Sequence, residues 1–568
     1  MYKPGNFIPA DLIINNWSDL KPYFDKLEKQ NIETTEALEK MILHLSDILS
    51  IFAEQSARAY INMTCHTDNP DFVKTHETFA TIISPEVEIA SNTIQKKLAA
   101  SPCFANLPAG RYSQLQKSIK RDLELFRKEN VPLEAALSKL ASQYGQLAGS
   151  LTVDLDGKTL TIPEASVFLE SSDRERRKQA WLAIVESRFN KKTEHSEIFN
   201  QMVKLRHNIA LNAGYKNFRD YQHDNLHRFD YTVNDVLKFH ESIEKCILPL
   251  KIKIAKKHRN KLKLDKADYR PWDETGKPLG QPPLKPFVSA QELLDKTNKI
   301  FSKIRPEFGE NIKTMEQNNL FDLDTRKAKA PGGYNYGLEV TGMPFIFMNA
   351  AGVHRDVITL MHEGGHAMHT FLTHDEPLIQ YRHCPSEVAE TASMSMELIS
   401  STHWDIFYNK QELVHARREH LEDIIGVFAW VATVDCFQHW IYTHPEHTPA
   451  ERDEAFLKII NRFSTGLVNW EGYEPYRKNL WQRQLHIFEA PFYYIEYAIA
   501  QLGALQVYRN YIKEPDAAIQ AYIRGLSLGH TKPIAEVWGA MNISFDFSEK
   551  TIKDLMDFAQ EEIARLDN

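Results

Sequence analysis

The pattern of hydrophobic and polar positions along this chain has the period of an α-helix over most of its length. Residues 35–150 in particular predict long amphipathic helices separated by few turns. Residues 151–155 and 158–162 instead alternate between apolar and polar positions around Asp156-Gly157, which predicts a β-hairpin. We therefore expect a mainly α-helical protein, divided near residue 200 into an N-terminal helical region, 1–200, and a second region, 201–568.

One periodic segment near residue 360 predicts a helix with an unusual polar face. Its apolar residues fall within roughly 40° of one line on a helical wheel and predict a stripe that faces the core. These residues are Val353, Val357, Leu360, Gly364, Ala367 and Phe371. His362 and His366 lie about 140–180° away from that stripe. Two surface histidines on an amphipathic helix would give a similar pattern, so this placement alone leaves both interpretations open.

The residues at these two histidines indicate a metal site. His362 and His366 are four positions apart, so both imidazoles leave the same side of a helix and can bind one metal ion. Glu363 directly after His362 completes the HExxH pattern of zinc hydrolases, in which the carboxylate takes a proton from metal-activated water. The pattern predicts one zinc ion (Zn2+) per chain, with Glu363 as the catalytic base.

A catalytic zinc ion needs a third protein ligand. His369 is a poor candidate because it lies about 10.5 Å along the helix axis from His362. A second helix, whose start is predicted at Pro385-Ser386, offers glutamates at spacings of three and seven. These are Glu387, Glu390 and Glu397. We select Glu390 as the ligand and expect the other two to orient the histidines, although each glutamate could belong to a solvated acidic face.

Two glycines indicate where this second helix packs. Gly364 and Gly365 each cost about 1 kcal/mol in a helix relative to alanine, which indicates close approach of another element. Small residues (Ala389, Ala392 and Ser393) would let the helix that carries Glu390 make that approach.

The two motifs together resemble a known family. Residues 362–366 paired with residues 387–393 look like the thimet oligopeptidase / oligoendopeptidase F family of zinc peptidases, whose third ligand maps onto Glu390. Residues 268–273, 329–334 and 344–349 resemble further signatures of the oligoendopeptidase branch. The resemblance implies a two-lobed, helical, zincin-like fold with a small β-sheet beside the active-site helix. It also implies a deep substrate channel that folded proteins cannot enter.

The segment before the histidine helix predicts how a peptide could be held. Residues 343–348 form a short apolar run with an early proline, which favours an edge strand that could bind an extended peptide backbone. An ordinary buried strand would have the same pattern. Gly332, Gly333 and Gly337 indicate a flexible loop that closes over the substrate.

Residues 486–497 contain a second group of candidate catalytic side chains. Attack on a peptide carbonyl develops negative charge, and histidine and tyrosine can donate hydrogen bonds to it. On a helix Tyr494 and Tyr497 share a face, whereas Tyr493 points elsewhere. The resemblance implies that these two tyrosines, with His486, line the cleft and assist the transition state. Tyrosines with buried rings and hydrated hydroxyls are the alternative.

Composition favours a cytoplasmic enzyme. The net charge of −8 argues against nucleic acid as a partner. The start of the chain lacks an apolar signal region, and no apolar run of about 18 residues occurs, so we expect no membrane partner. Five widely spaced cysteines without a CxxC pair predict free thiols in a reducing compartment. A monomer is favoured, but the sequence does not decide the oligomeric state.

These observations predict a zinc endopeptidase that cuts short oligopeptides internally. Two alternatives remain open: an exopeptidase of the dipeptidyl carboxypeptidase type, which would need a cationic or tyrosine-rich end to its cleft, and a non-catalytic peptide-binding protein. The retained Glu363 argues against the second alternative, because a structural metal site has no use for a base.

Overall fold

The structure is a computed structural model that describes residues 7–566. Within that range the fold is mainly α-helical with two small sheets, as predicted. The helices before the hairpin are α1 (Trp17–Lys29), α2 (Thr35–Cys65), α3 (Pro70–Thr78), α4 (Ser84–Ala100), α5 (Ala109–Leu125) and α6 (Val131–Gly149).

The middle of the chain contains eight helices and all five strands of the described residues. The helices are α7 (Ile162–Ser166), α8 (Arg174–Phe189), α9 (Lys192–Asn212), α10 (Phe218–Asn225), α11 (Val233–Ser242), α12 (Leu248–Lys261), α13 (Ala290–Ile304) and α14 (Pro306–Gln317). The strands are β1 (Thr152–Leu155), β2 (Lys158–Thr161), β3 (Phe321–Asp324), β4 (Tyr334–Leu338) and β5 (Met343–Ala350).

The remainder of the chain is helical. Its helices are α15 (His354–Thr373), α16 (Ile379–Arg382), α17 (Ser386–Ser400), α18 (Lys410–Thr443), α19 (Pro449–Phe463), α20 (Glu474–Lys478), α21 (Leu485–Glu489), α22 (Ile495–Tyr511), α23 (Pro515–Leu526), α24 (Ile534–Ala540) and α25 (Glu549–Arg565). Short 3₁₀ or π turns lie at Phe79–Ile83, Phe104–Asn106, Val167–Glu170, Ile243–Ile247, Pro271–Asp273, Ser401–Ile406 and Leu480–Arg483.

The predicted hairpin is confirmed. β1 and β2 pair antiparallel, with Leu155 opposite Lys158. Asp156 and Gly157 form the two-residue turn, and both have positive φ (53° and 72°). That conformation suits Asp-Gly and matches the twist of the two strands.

The second sheet corrects the prediction of an edge strand at residues 343–348. β5 is the middle strand, parallel to β3 and antiparallel to β4. The register with β3 starts at Ile346, so at Pro344 only β4 lies alongside β5, and a proline is tolerated there. β3 and β4 are the edge strands, and β4 replaces most of the predicted flexible loop.

Helices α15 and α17 pack against each other at the predicted glycines. A Cβ at Gly365 would lie 2.6 Å from the Ser393 Cα and 2.8 Å from the Ala392 carbonyl oxygen. A Cβ at Gly364 would instead lie 2.4 Å from the ring of Phe301 on α13. The close approach that the glycines indicated is confirmed, and it fixes the separation of the two helices.

A large cleft lies beside the small sheet and α15. The largest core joins β5 with α15, α17, α18 and α22, whereas α1, α2, α4 and α5 surround a separate core. Residues of α2, α6, β4, α15 and α17 line this cleft, and Tyr60 of α2 packs against Tyr334 of β4. Leu140 and Phe199 share a third core with residues of α18. The predicted division at residue 200 stays a prediction.

Helix α18 is long and apolar enough to cross a membrane by length and composition alone. In the structure 72% of its most apolar window is buried inside the protein. We therefore interpret α18 as a core helix.

Replacing Gly365 with alanine is expected to lower the free energy of unfolding by about 1–3 kcal/mol, because the methyl group overlaps the backbone of α17. Gly426 in α18 is the matched control, since nothing lies within 4 Å of a Cβ placed there. Gly426→Ala is expected to be neutral or to stabilise by up to about 1 kcal/mol. Denaturant titrations measure both variants, and equal stability would contradict the proposed packing.

Candidate metal centre and active site

The structure brings the three predicted metal ligands together. His362 and His366 leave the same side of α15, with ring centroids 4.9 Å apart. From α17, Glu390 Oε2 lies 3.2 Å from His362 Nε2 and 3.5 Å from His366 Nε2. Each residue offers one ligand atom, and these atoms lie within 4.8 Å of one another. Two imidazole nitrogens and a carboxylate are the donor set of a catalytic zinc site with an open position, so these residues fit the predicted metal.

A second layer of contacts orients these ligands. Glu397 Oε1 accepts a hydrogen bond from His362 Nδ1–H at 2.7 Å, which leaves Nε2 directed towards Glu390. Ser393 donates to Glu390 Oε2 at 2.9 Å, and the Tyr493 hydroxyl donates to Glu390 Oε1 at 2.5 Å. The expected orienting role of Glu397 therefore has a geometric basis.

The electrostatics of the group favour a bound cation. Burial opposes charge on Glu390, but His366 and His362 hold its pKa well below the ordinary value. Burial likewise opposes a charged His362, yet hydrogen bonds with Glu390 and Glu397 raise its pKa well above the ordinary value. A divalent cation would supply the positive charge that Glu390 and Glu397 require.

Glu363 is placed as a base beside this group. Its side chain is only 6% exposed, and its Oε2 has no hydrogen-bond partner among residues 7–566. Burial raises the pKa of the Glu363 carboxyl, while His362 and His366 partly oppose that rise. A buried carboxylate oxygen without a partner, on the wall of a cleft, is poised to accept a proton from a molecule in that cleft.

Glu387 has a different role from the one expected. Its Oε1 accepts a hydrogen bond from the Tyr231 hydroxyl at 2.5 Å and lies 4.0 Å from Arg228 Nε. Arg228 also pairs with Glu496 at 2.6 Å. The expectation that Glu387 orients a histidine is wrong, because Arg228, distant in sequence, neutralises it. No local sequence pattern indicated this pair.

The region around residue 490 corrects the tyrosine assignment. α22 begins only at Ile495, so the helical spacing used for Tyr493 and Tyr494 does not apply. Phe492 has a positive φ of 67° and turns the chain just before them. Gln438 Oε1 accepts from the Phe492 N–H at 2.8 Å and holds this turn.

This turn places Tyr493 in the cleft, where it contacts Glu390. The prediction that Tyr493 points elsewhere is wrong. Tyr494 does not belong to the described residues that line the cleft, and its side chain interacts with Trp430 and Gln484 instead. The strained residue after Pro491 was not predictable from spacing, although Pro491 itself signals that a helix does not run through it.

His486 and Tyr497 both line the cleft and contact each other, with His486 Nε2 3.0 Å from the Tyr497 hydroxyl. The hydrogen-bond directions follow from Trp430, whose indole N–H can only donate. It donates to Gln484 Oε1 at 2.9 Å, so the Gln484 amide N–H faces His486 Nδ1, also at 2.9 Å. His486 Nε2–H must therefore donate to the Tyr497 oxygen, which leaves the Tyr497 hydroxyl proton free for another acceptor.

The cleft that contains these groups has a volume of about 1000 Å³. Its walls include the metal group, Glu363 and Tyr497, and residues 334–338 of β4. β4 is an edge strand, so one row of its backbone groups has no strand partner among the described residues. An extended peptide could pair with that edge while crossing the metal group.

A second histidine–aspartate group lies in the core. His240 Nε2 and His439 Nε2 lie 2.8 Å and 3.1 Å from Asp435 Oδ2, and all three residues are buried. None of them lines the cleft in the described part of the chain. Burial opposes charge on His240, but Cys436 and Asp435 raise its pKa to about 9. We interpret this group as a hydrogen-bonded structural network.

Comparison with known proteins assigns the family. Residues 167–557 match Peptidase family M3, and residues 10–126 match the Peptidase M3 N-terminal domain. The chain therefore belongs to Peptidase family M3, which confirms the resemblance seen in its motifs. The fold is accordingly the helical, zincin-like architecture that the resemblance implied.

Individual relatives agree with this assignment. Oligopeptidase PepF of Bacillus subtilis is 25% identical over 67% of this chain, and the match spans 56% of that protein's length. An oligoendopeptidase F homolog of Borreliella burgdorferi is 21% identical over 74% of this chain and 71% of its own. The solved structure of PZ peptidase A with inhibitor 2 is 27% identical, covers 97% of both chains and has a TM-score of 0.93.

Replacing Glu397 with glutamine is expected to weaken metal binding about 10- to 100-fold while the fold is retained, because His362 loses the carboxylate that orients it. Glu446→Gln, at an exposed position, is the control for loss of one negative charge. Competition with a chromophoric chelator measures both affinities. Unchanged affinity in Glu397→Gln would show that the contact does not support the ligand.

Proposed function

We propose that this protein is a zinc-dependent endopeptidase that hydrolyses internal bonds of short oligopeptides. One observation carries the proposal: the buried Glu363 carboxylate, whose Oε2 has no hydrogen-bond partner in the described chain, lies beside the His362, His366 and Glu390 group on the wall of the cleft. A site that only binds peptides needs no such base.

His362, His366 and Glu390 would hold the zinc ion, one per chain. When bound, zinc polarises a water molecule and the substrate carbonyl. Glu363 accepts the proton of the attacking water and passes it to the nitrogen of the leaving amine. Burial raises the pKa of Glu363 above its ordinary value, which favours a carboxylate that both accepts and returns a proton.

Tyr497 is the donor best placed for the developing oxyanion. Gln484 and His486 fix the orientation of its hydroxyl, so its proton is available to a substrate oxygen. Burial lowers the pKa of His486 to about 4, which keeps the imidazole neutral at pH 7. Tyr494 would help to hold Gln484 in place through its interactions with Gln484 and Trp430.

The cleft determines the substrate class. Residues of α2, α6, β4, α15 and α17 line it, and its volume of about 1000 Å³ suits an extended peptide rather than a folded domain. The edge of β4 would bind the peptide main chain, which favours oligopeptides of varied sequence. A monomeric enzyme located in the cytoplasm is part of the same proposal.

Replacing Glu363 with glutamine is expected to retain the metal but to reduce turnover at least 100-fold, because the amide cannot accept the proton. The assay uses an internally quenched peptide of about ten residues, with metal content measured in parallel. Wild-type cleavage should stop with a chelator and return with zinc. Substantial turnover by metal-loaded Glu363→Gln would exclude Glu363 as the base.

Replacing Gln484 with glutamate is expected to lower kcat about 10-fold or more with little change in KM. The carboxylate still accepts from Trp430, but it now draws a proton onto His486 Nδ1. His486 Nε2 then accepts from Tyr497, whose proton is no longer free. Gln484→Ala separates this effect from loss of the side chain, and equal kcat in wild type and Gln484→Glu would contradict the proposed directions.

A further inference from the structure

Four glutamates and no aspartate line the cleft in the described part of the chain. Glu390 belongs to the metal group, and Glu363 is placed as the base. Glu339 is neutralised by Arg382, whose Nη1 lies 2.9 Å from Glu339 Oε2. The fourth acid, Glu489, forms no ion pair and no side-chain hydrogen bond with residues 7–566. One carboxylate of the cleft is therefore left without a counter-charge.

Glu489 lies close to the place where a peptide bond would be cut. It ends α21, one helical turn after His486, and the side chains of both residues line the cleft. Residues three apart on a helix have Cβ atoms about 5–6 Å apart. His486 contacts Tyr497, the proposed oxyanion donor. Since an extended chain advances about 3.4 Å per residue, Glu489 can reach a peptide residue about two positions from that bond.

The surroundings of this carboxylate leave room for a long side chain. A Cβ at Gly145 would lie 3.7 Å from Glu489 Oε1, so the carboxylate faces α6. Most residues of α6 that line the cleft are small: Ser138, Ala141, Ser142 and Gly145. Burial and the charge of Glu489 raise the pKa of the Tyr60 hydroxyl, which places that ring near the carboxylate. A carboxylate close to an aromatic ring is a favourable setting for an ammonium or guanidinium group.

The protein itself supplies no cation to Glu489. In the described chain no lysine lines the cleft, and its one arginine, Arg382, pairs with Glu339. Removal from bulk water raises the pKa of Glu489 to about 7, and no neighbouring positive charge opposes that rise. A cation brought by the substrate would supply the missing counter-charge, in a partly enclosed space where the attraction is stronger than in bulk water.

We propose that Glu489 is a specificity-determining residue that binds a positively charged group of the peptide near the bond to be cut. This inference rests on the proposed peptidase function and deepens it, because it defines basic peptides as preferred substrates. The group is an ammonium or a guanidinium, which a peptide carries on lysine and arginine side chains or at its N-terminus. Glu489 touches the substrate away from the reacting atoms, so it selects peptides and leaves the chemical step unchanged.

Binding measurements on zinc-loaded Glu363→Gln protein test this role without turnover. A series of ten-residue peptides, labelled at the C-terminus, carries lysine at successive positions, and matched peptides carry norleucine, which has the same length without the charge. Lysine at one position is expected to give about 10-fold tighter binding or more, because a charge-assisted hydrogen bond forms. Acetylation of the N-terminus separates the two sources: it removes the preference only if the N-terminal ammonium is the bound group.

Variants then locate the effect at Glu489. With Glu489→Gln added, the lysine and norleucine peptides should bind equally, and the affinity for norleucine should stay unchanged. Glu489→Lys should reverse the preference, so that a glutamate peptide binds more tightly than its glutamine counterpart, which loss of folding cannot produce. Glu446→Gln, at an exposed position, is the charge control and should keep the full preference for lysine.

The preference should also depend on pH. It should be full at pH 8 and decline towards pH 6, because Glu489, with its pKa of about 7, becomes protonated while lysine stays charged. Burial lowers the pKa of His486 to about 4 and also lowers that of His76, and burial raises those of Tyr60 and Tyr144. These neighbours therefore do not produce the change. The ratio of the two affinities cancels any loss of metal at low pH.

Three results would overturn the proposal: equal binding of lysine and norleucine peptides at every position with free and acetylated N-termini alike, a lysine preference that persists in Glu489→Gln, or a preference that does not change with pH. Cleavage of the same peptides by wild-type protein is measured separately. A binding preference without any cleavage would refute the peptidase function but leave the role of Glu489 intact, whereas cleavage without a preference would do the reverse.

Discussion

The contact between α15 and α17 at Gly365 is the constraint on which the site depends. Backbone atoms of α17 occupy the space where any larger side chain at residue 365 would lie. The two helices therefore approach closely enough for one carboxylate to reach two imidazoles a helical turn apart. Phe301, packed on Gly364, supports α15 from another direction. Two residues that weaken a helix locally thus make the tertiary arrangement possible.

The three glutamates of α17 have different roles, because each contacts a different set of side chains. Glu390 faces both imidazoles, Glu397 orients one of them, and Glu387 pairs with Arg228 and Tyr231. Each carboxylate has a partner that can carry positive charge, and Glu390 and Glu397 share His362, so the three acids on one helix do not repel one another without compensation. Glu363, on the facing helix, keeps one oxygen without a hydrogen-bond partner among residues 7–566, and this makes it available for chemistry.

Local patterns predicted the mainly helical fold, the hairpin and the residues of the metal group, because each depends on spacing within one or two helices. Local patterns gave wrong predictions where contacts between segments far apart in the sequence determine the structure. The position of β5 depends on where β3 begins to pair, and the partner of Glu387 lies more than 150 residues away. Tyr493 enters the cleft through a strained residue that Gln438 holds in place.

Anomalous X-ray scattering at the zinc absorption edge, from crystals of the zinc-loaded protein, tests the central claim most directly. The structure predicts one strong peak about 2.0–2.2 Å from His362 Nε2, His366 Nε2 and a carboxylate oxygen of Glu390. A peak at His240, Asp435 and His439 instead, or no peak between α15 and α17 in protein shown to contain zinc, would contradict the assignment of the metal centre.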